Sequence, residues 1–225
     1  MWRDLPANVK KDSVRSYYNN INNKVRVLLL IRFFDICITI LLLIALYPFL
    51  LLFMILIKLD SNGSVFFRQV RVTQYGKHFR IYKFRTMVHN AEVIGSQVTT
   101  QKDIRVTRLG RILRKYRLDE LPQLFNILAG DMTYVGTRPE VPKYVNQYSD
   151  EMFATLLLPA GVTSEASIYY KDEEQLLEDK KNVDMLYVYK VLPAKMKYNL
   201  EGIKKFSFFY YIQIISKTLL AVIKQ

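Results

Sequence analysis

The 22-residue stretch ICITILLLIALYPFLLLFMILI, Ile36–Ile57, decides the fold because it contains no charged residue. A helix needs about 20 apolar residues to cross the hydrocarbon core of a bilayer, so the stretch is long enough for a straight membrane span. Pro48 lies near its middle. Because proline removes one backbone hydrogen bond and clashes with the carbonyl four residues earlier, we expect the helix to break or kink there.

Basic residues flank the apolar stretch on both sides. They are Lys24, Arg26 and Arg32 before it and Lys58, Arg68 and Arg71 after it. Since cytoplasmic flanks carry the excess of Lys and Arg, both ends are predicted to lie on the cytoplasmic side. A helix–break–helix that enters and leaves by the same leaflet satisfies this distribution, and a straight span does not. We therefore predict a re-entrant, monotopic membrane segment at 25–60, between a polar tail at 1–24 and a cytoplasmic domain at 61–225. A single-span anchor is the alternative.

Net charge and cysteine content restrict the class of protein. The 225 residues include 33 Lys and Arg against 20 Asp and Glu, a net charge of +13. This surplus favours polyanionic partners, meaning nucleic acid, anionic lipid or phosphorylated substrates. Cys37 is the only cysteine, which excludes a disulfide framework. His78 and His89, the two histidines, have no Cys or acidic residue nearby at metal-ligand spacing, which argues against a zinc site.

The domain after the apolar stretch is predicted to be α-rich α/β and to begin with a β-hairpin. Val65–Val72 and Phe79–Met87 are expected to pair across the turn Tyr75–Lys77. A polar loop is predicted at 95–104.

Arg108–Leu128 has a helical pattern that Pro122 divides. Because proline is tolerated in the first turn of a helix, a new helix is predicted to begin around Asp119 and Glu120. Its apolar face comprises Leu121, Leu124, Phe125 and Leu128.

The C-terminal part of the chain predicts one loop and three helices. A Gly- and Pro-bearing loop is expected at Tyr134–Pro142, an acid-rich surface helix at Lys171–Lys181 and a further helix from about Val183. Phe206–Lys224 is strongly apolar but interrupted by polar residues. It suits a helix lying in the membrane interface, and an amphipathic core helix is an equal alternative.

Arginine recurs at every third position between 105 and 117. The residues are Arg105, Arg108, Arg111, Arg114 and Arg117, with Lys115 among them. A solvated basic surface is the plain interpretation, but guanidinium groups also match phosphate oxygens with paired hydrogen bonds. The cluster runs into Asp119 and Glu120, which would repel a nucleic-acid backbone, so nucleic acid is the weaker source of such phosphates.

The pair Asp119-Glu120 has two interpretations that the residues alone leave open. Acidic residues commonly cap helix starts, and this needs no chemistry. Alternatively, a carboxylate can attack phosphorus when Mg²⁺ and arginines neutralise the repulsion between the anions. The N–H groups of a helix start would then help to hold the phosphate.

Six segments across residues 32–142 resemble the small monotopic phosphoglycosyl transferases, the bacterial sugar transferase family that starts glycan assembly on undecaprenyl phosphate. The segments are RFFD (32–35), VFFRQ (65–69), YKFRTM (82–87), LDELPQLFN (118–126), GDM (130–132) and VGTRPE (135–140). Each is modest alone, but their order and spacing behind the apolar stretch are specific. The rest of the chain matches loosely.

The resemblance implies a ping-pong reaction with Asp119 as the nucleophile. Its carboxylate attacks the β-phosphate of a UDP-sugar, UMP leaves, and polyprenyl phosphate then takes the sugar phosphate from the enzyme. Glu120 matches the acid that assists at the Mg²⁺ site, and both acids are assigned as metal-binding. Arg114 matches a phosphate-contacting arginine, Arg138 lies in the family's Pro-Arg-Pro loop, and Pro48 matches the proline that breaks the membrane helix.

The same resemblance implies the partners and the location. Lys83 and Arg85, within the matched segment 82–87, are assigned to phosphate or substrate binding. The expected partners are UDP-sugar, polyprenyl phosphate and lipid, at the cytoplasmic face of a bacterial inner membrane, with no nucleic acid; a homodimer is left open. A membrane-anchored basic protein that binds nucleic acid or anionic lipid without catalysis is the alternative function.

Three departures from the family pattern limit what the resemblance implies. Thr137 stands where proline is usual, Tyr47 replaces a frequent serine before the membrane proline, and Gly161–Ile168 lacks the common Gly-Trp-Ala-Gln signature. Sugar specificity is therefore not carried over. Because the multi-helix N-terminal extension of larger relatives is missing, the chain is expected to be the minimal catalytic unit.

Overall fold

The computed structural model describes residues 2–88, 91, 103–171 and 183–223, and helices dominate this part of the chain. The helices, in chain order, are α1 Arg15–Asn22, α2 Val25–Asp60, α3 Arg108–Lys115, α4 Gln123–Ala129, α5 Pro142–Val145, α6 Glu165–Tyr169, α7 Val183–Leu186, α8 Leu192–Lys204 and α9 Phe208–Ile223. Four strands form two small sheets within the described residues: β1 Phe66–Val72 with β2 His78–Phe84, and β3 Met132–Val135 with β4 Ala160–Thr163. The predicted α-rich class is confirmed.

Two predicted elements lie largely outside the described residues. The polar loop at 95–104 is described only from Asp103 onward, and the acid-rich helix at Lys171–Lys181 only at Lys171. His89 is also outside them. The helix predicted from about Val183 is confirmed, because α7 begins there and continues through a π-helical segment, Tyr187–Val191, into α8.

Helix α2 contains the whole apolar stretch. Its 36 residues make it about 54 Å long at about 1.5 Å per residue. Helical structure continues through Pro48, so the predicted helix–break–helix is not an interruption into two separate helices. A single proline withholds one N–H, and the hydrogen bonds of the flanking turns keep the segment helical. Of the described helices, α2 is the one long and apolar enough to cross a membrane.

One face of α2 packs on the rest of the protein along most of its length. Ile31 near its N-terminus and Ile57 near its C-terminus are both buried in clusters with the following domain. Between them the packing continues through Leu42, Leu43, Leu46 and Leu50. Other large apolar side chains of α2 are exposed, among them Phe33, Leu41, Ile44 and Ile55. Because so much exposed apolar surface is unfavourable in water, α2 associates the protein with a membrane.

Strands β1 and β2 form the predicted antiparallel hairpin, with Phe66 opposite Phe84. Its turn places Tyr75 at φ 58° and Gly76 at φ 77°, and glycine suits the second position because it adopts positive φ readily. Strand β2 ends at Phe84 rather than at the predicted Met87, which forms only an isolated bridge with a later residue.

The parallel pair β3–β4 is absent from the sequence-based prediction, which assigns Tyr134–Pro142 to a loop. Tyr134 and Val135 complete β3, and the loop begins at Gly136. A Cβ on Gly161 would lie 2.1 Å from the Gly136 nitrogen, so the two backbones approach as closely as glycine allows. Four-residue strands are too short to show a periodic pattern, which is why the sequence does not reveal them.

The N-terminal segment, predicted as a polar tail, is packed against the domain. Val9 and Val14 are fully buried, and α1 buries Tyr17 and Ile21 in the same cluster. The Tyr17 hydroxyl donates a 2.6 Å hydrogen bond to Glu151. Isolated apolar residues in a polar segment do not indicate burial by themselves, because burial depends on the distant elements that they meet.

The C-terminal helix α9 has features of both predictions for this segment, a core helix and a helix in the membrane interface. Tyr211 and Ile214 are buried in a core cluster that also contains residues of α2. Phe209 and Leu219 are 80% and 60% exposed. One face of α9 therefore belongs to the core, and apolar side chains elsewhere on the helix remain exposed, as a helix in the membrane interface requires.

Candidate active site

Asp119 and Glu120 lie in a 3₁₀ turn, Leu118–Glu120, between α3 and α4. Arg117, just before the turn, has φ 54°, a left-handed backbone conformation that redirects the chain. Helix α4 begins only at Gln123, so the prediction of a helix start around Asp119 placed that start too early. The tight turn, rather than a helix, presents the two acids.

Two N–H groups at the end of this turn are used by the backbone. Glu120 donates to the carbonyl of Arg117 at 3.2 Å, and Leu121 donates to the carbonyl of Leu118 at the same distance. These two N–H groups are therefore not available to a phosphate, and phosphate binding by the N–H groups of the helix start near Pro122 stays a prediction.

Glu120 joins two cationic side chains that come from separate elements. Lys83 Nζ, on β2, lies 2.8 Å from Glu120 Oε1. The Arg138 guanidinium, in the loop after β3, donates to both carboxylate oxygens. Burial acts to raise the pKa of Glu120, but Arg138 and Lys83 outweigh it and hold that pKa well below its usual range. Glu120 is therefore ionised and paired with two cations.

Asp119 is the buried member of the pair, with 8% of its surface exposed. Burial raises the pKa of its carboxyl group above the ordinary value; Lys83 opposes this shift, Glu120 adds to it, and Arg114 and Arg138 oppose it. A carboxylate with few water contacts and several nearby cations is suited to attack an anionic phosphorus centre.

Lys83 is itself partly buried beside Glu120, with 19% of its side chain exposed. Burial lowers the pKa of its ammonium group, although the charges of Glu120 and Asp119 raise it. The predicted residues Asp119, Glu120, Lys83 and Arg138 are thus brought together, and Arg114 on α3 acts on Asp119 through its charge.

Arg85, the remaining predicted substrate-binding residue, is placed at the C-terminal end of α2. Its Nη2 donates to the carbonyl of Ser61 at 2.6 Å and to that of Ile57 at 3.3 Å. In this position it fastens the membrane helix to the segment after β2. Its Nε and Nη1 have no hydrogen-bond partner among the described residues. A role in substrate binding stays a prediction.

Residues that the sequence did not single out hold the loop that carries Arg138. Arg71 donates from Nη1 to the carbonyl of Pro139 at 2.9 Å. The Tyr187 hydroxyl donates to the Glu140 carboxylate at 2.5 Å. From the sequence, only Glu140 could have been identified as a residue that holds this loop, because it lies inside a matched segment. Arg71 and Tyr187 could not, because they reach the loop from distant parts of the chain.

Asn126 fixes α4 against β2 beside the acidic pair. Its side-chain oxygen accepts from the N–H of Tyr82, and its amide nitrogen donates to the carbonyl of Arg80, both at 2.9 Å. The signal for this residue was available, because Asn126 is a polar residue within the matched segment 118–126, next to an apolar helix face.

The donor set at the acidic pair fits Mg²⁺ that is shared with a substrate. Asp119 and Glu120 offer hard oxygen ligands, and Mg²⁺ is usually held by one or two carboxylates together with waters and substrate phosphates. In the described part of the chain no group of three or more His, Cys, Asp or Glu side chains could enclose a metal. Gln123, soon after the pair, has a buried amide without a partner among the described residues.

The fold and the site together define a membrane-associated protein with an acidic pair. The Lys and Arg side chains around this pair are suited to binding phosphate. Residues 26–225 match the model of the bacterial sugar transferase family, and the chain belongs to this family. The resemblance inferred from the sequence is confirmed.

Three relatives illustrate the match. The chain is 35% identical over 195 residues to the undecaprenyl-phosphate glucose phosphotransferase of Komagataeibacter xylinus, which covers 84% of this chain and 35% of that protein. It is 50% identical over 105 residues to the UDP-N-acetylgalactosamine-undecaprenyl-phosphate N-acetylgalactosaminephosphotransferase of Aeromonas hydrophila, covering 47% of this chain and 25% of that protein. Against the uncharacterized sugar transferase EpsL of Bacillus subtilis the identity is 35% over 161 residues, 72% of this chain and 78% of that protein. The chain thus spans a minor part of the first two relatives.

Proposed function

We propose that the protein transfers a sugar 1-phosphate from a UDP-sugar to undecaprenyl phosphate or a similar polyprenyl phosphate, with release of UMP. This would be the first membrane step in the synthesis of a bacterial glycan. The observation that carries the proposal is the Asp119-Glu120 pair, in which Glu120 is ion-paired with Lys83 and Arg138 and the buried Asp119 is under the charge of Arg114. The names of two relatives, which act on undecaprenyl phosphate, supply the acceptor. Those relatives differ in the sugar, so the sugar is left open.

The first half of the proposed reaction forms a covalent intermediate on Asp119. A carboxylate oxygen attacks the β-phosphorus of the UDP-sugar and forms a new P–O bond. The bond from that phosphorus to the bridging oxygen breaks, and UMP leaves with the electron pair. Lys83, Arg114 and Arg138 stabilise the charge that builds up on the phosphate oxygens, while Glu120 holds Lys83 and Arg138 in position.

The second half transfers the sugar phosphate to the lipid. An oxygen of polyprenyl phosphate attacks the same phosphorus, and Asp119 leaves as a free carboxylate. The product is a polyprenyl diphosphate sugar. Splitting the transfer into two steps lets the water-soluble donor react and its UMP depart before the membrane-bound acceptor enters.

Mg²⁺ is the proposed cofactor, and Asp119 and Glu120 are the residues that would hold it. When bound, it supplies positive charge that reduces the repulsion between the carboxylate and the diphosphate.

The test of this function is UMP release by purified protein with a panel of UDP-sugars and undecaprenyl phosphate. Without the lipid, the protein should release at most one equivalent of UMP and gain the mass of a sugar phosphate on Asp119. Steady turnover without such a mass would replace the two-step mechanism by direct attack of the lipid. No UMP from any UDP-sugar would favour the alternative of a basic binding protein, whose affinity would fall steeply with salt.

We also propose that α2 is monotopic and that the domain lies on the cytoplasmic face of a bacterial inner membrane. A spanning helix needs about 20 residues surrounded by lipid. Yet α2 contacts the domain at Ile31, at Ile57 and at several points between them. Packing along this length supports a helix that stays on the domain's side of the bilayer.

Labelling tests the arrangement in a Cys37→Ser background. A cysteine at the exposed position Ala7 or Asn62 should resist an impermeant maleimide in intact cells and react after permeabilisation. Labelling of one position but not the other in intact cells would establish a span.

A further inference from the structure

The two residues that follow Arg138 are attached to strand β1 through their backbone. The carbonyl of Pro139 accepts a 2.9 Å hydrogen bond from Arg71 Nη1, and the carbonyl of Glu140 accepts a 3.0 Å hydrogen bond from the N–H of Val72. Proline also restricts the residue before it to extended conformations. The backbone at Arg138 is therefore set by the segment that follows it.

The side chain of Glu140 is a further point of attachment, and it is buried with two partners. The residue is 6% exposed, and its Oε1 accepts a 2.5 Å hydrogen bond from the Tyr187 hydroxyl. Lys195, which is 5% exposed, donates from Nζ to the Tyr187 hydroxyl at 3.3 Å. Its Nζ lies 3.8 Å from Glu140 Oε1. Glu140, Tyr187 and Lys195 thus form one buried polar group beside the loop.

The ion pair in this group has a geometry that adds little stability. Moving both charges out of water is costly, and their attraction offsets the cost only when the geometry is good. At 3.8 Å, Lys195 Nζ and Glu140 Oε1 are beyond hydrogen-bonding distance of each other. The burial of both charges therefore indicates a role other than stability, and the group holds the loop that carries Arg138.

The π-helical segment Tyr187–Val191 brings the two partners of Glu140 to the same side of the helix. In a regular α-helix, residues eight positions apart are rotated by about 80° around the axis. A π-helical turn rotates less per residue, because its hydrogen bonds reach five residues along the chain, and such turns are frequent at functional sites. Lys195 Nζ accordingly lies 5.3 Å from the centre of the Tyr187 ring.

The buried group and the active site lie close enough for their charges to interact. Burial lowers the pKa of the Arg71 guanidinium. The charge of Glu140 opposes this shift, that of Arg138 adds to it, and those of Tyr187 and Glu120 oppose it. Arg71 is thus near both the carboxylate of the buried group and the ion pair of the active site.

We propose that Tyr187 and Lys195 are positioning residues for the transfer, which act through Glu140 on the loop that carries Arg138. By fixing this loop they keep the Arg138 guanidinium at Glu120, where it stabilises the charge that builds up on the phosphate. Both residues lie outside the matched segments at 32–142. The inference rests on the proposed function, because it takes the reacting group to be a diphosphate.

The experiment measures UMP release by variants that keep the approximate size of each side chain. Tyr187→Phe and Lys195→Met should each lower kcat about 10-fold, the effect of losing one good hydrogen bond at a charged group. The KM for UDP-sugar should stay unchanged, because the lost interaction acts only in the transition state. Lys195→Arg keeps the charge and should recover most of the rate. If Lys195→Met does not fold, Tyr187→Phe still provides the test, because it leaves Glu140 and Lys195 in place.

Tyr144→Phe is the matched control. The Tyr144 ring also packs on Tyr187, with 4.7 Å between the ring centres, but its hydroxyl donates to Asp184. The variant therefore removes a hydroxyl group from the same cluster without removing a hydrogen bond to Glu140. Its kcat should equal that of the wild-type protein.

A double-variant cycle distinguishes positioning from general support of the fold. If Tyr187 acts through Arg138, adding Tyr187→Phe to Arg138→Met should lower kcat by less than about 2-fold, because the group that it positions is already gone. An equal loss from Tyr187→Phe in the wild-type and Arg138→Met backgrounds would overturn the proposal. So would a rise in the KM for UDP-sugar with unchanged kcat.

Hydrogen exchange provides a measurement that needs no substrate. The Val72 N–H donates to the Glu140 carbonyl, so its exchange rate reports on the attachment of the loop. The rate should rise about 10-fold in Tyr187→Phe and stay unchanged in Tyr144→Phe. An unchanged rate in both variants would mean that Tyr187 does not hold the loop. If the rate rises as expected but wild-type protein releases no UMP from any UDP-sugar, the hold of Tyr187 on the loop stands and the proposed transfer fails.

Discussion

Two buried acidic centres of this protein have different partners. At the active site, Glu120 lies between the cations Lys83 and Arg138. In α2, Asp35 is 1% exposed and accepts a 2.6 Å hydrogen bond from the hydroxyl of Thr133.

The Tyr211 hydroxyl also donates to Asp35, and Thr133 and Tyr211 lie 2.7 Å apart. These contacts join α2 to β3 and to α9. Burial is therefore common to both centres, and their partners differ. Cations keep a carboxylate ionised, and the same cations can bind a phosphate. Hydroxyl groups that donate to a carboxylate instead connect elements of the fold through hydrogen bonds.

The largest expected effect is at Asp119. Asp119→Asn keeps the size of the side chain but removes the charge and the nucleophilic oxygen. Turnover measured as UMP release should fall about 1,000-fold or more, and no sugar-phosphate mass should form. Asp131→Asn, at the exposed Lys77 ion pair, is the matched control and should retain activity. Normal turnover in Asp119→Asn would place the nucleophile elsewhere.

Lys83→Gln tests whether its cationic partners set the acidic pair Asp119-Glu120 apart from Asp35. Lys83 lowers the pKa of Asp119, so its loss should raise that pKa and move the acid limb of the kcat/KM profile to higher pH. The rate at neutral pH should fall about 100-fold, as on loss of one charge-stabilising group. Lys77→Gln in the hairpin turn should show neither change. An unshifted acid limb would mean that Lys83 only fills space.

Asp35→Asn, unlike Lys83→Gln, should lower the stability of the protein and leave its pH profile unchanged. The asparagine amide has one oxygen acceptor where the carboxylate has two, so it cannot accept hydrogen bonds from both hydroxyl groups in the same way. The free energy of unfolding, measured by thermal unfolding in detergent, should therefore fall by about 1–3 kcal/mol. The pH profile of the remaining folded protein should be unchanged. Asp60→Asn, exposed at the end of α2, is the control. A shifted pH profile would assign Asp35 to the chemistry.

The smallest expected effect is at Thr39, which is fully buried in α2 and lies 2.9 Å from the Tyr134 hydroxyl. Thr39→Val and Tyr134→Phe should each cost about 1 kcal/mol of stability with no effect on turnover. Since both substitutions remove the same hydrogen bond, the stability loss of the double variant should be smaller than the sum of the losses of the two single variants. Additive losses would show that the pair is not coupled.

The site was partly predictable because its residues fall in short segments with a recognisable order. Asp119, Glu120, Lys83 and Arg138 were all assigned from the sequence, and the structure brings them together. Arg85 came from the same kind of segment, yet it binds the end of α2. A segment pattern specifies the residue type and not the direction of the side chain.

The sequence by itself determined the apolar helix, the hairpin, the position of the acidic pair and the family. Each of these depends on neighbouring residues, through hydropathy, alternation or a contiguous motif.

Only the tertiary structure decided the β3–β4 pairing, the burial of the N-terminal segment and the hydrogen bonds that connect Asp35 to β3 and α9. Each of these brings together residues that lie far apart in the chain, as Thr133 and Tyr211 do at Asp35. Whether a polar residue in such a place is exposed or hydrogen-bonded depends on the partner that packing brings to it, and that partner is absent from the local sequence.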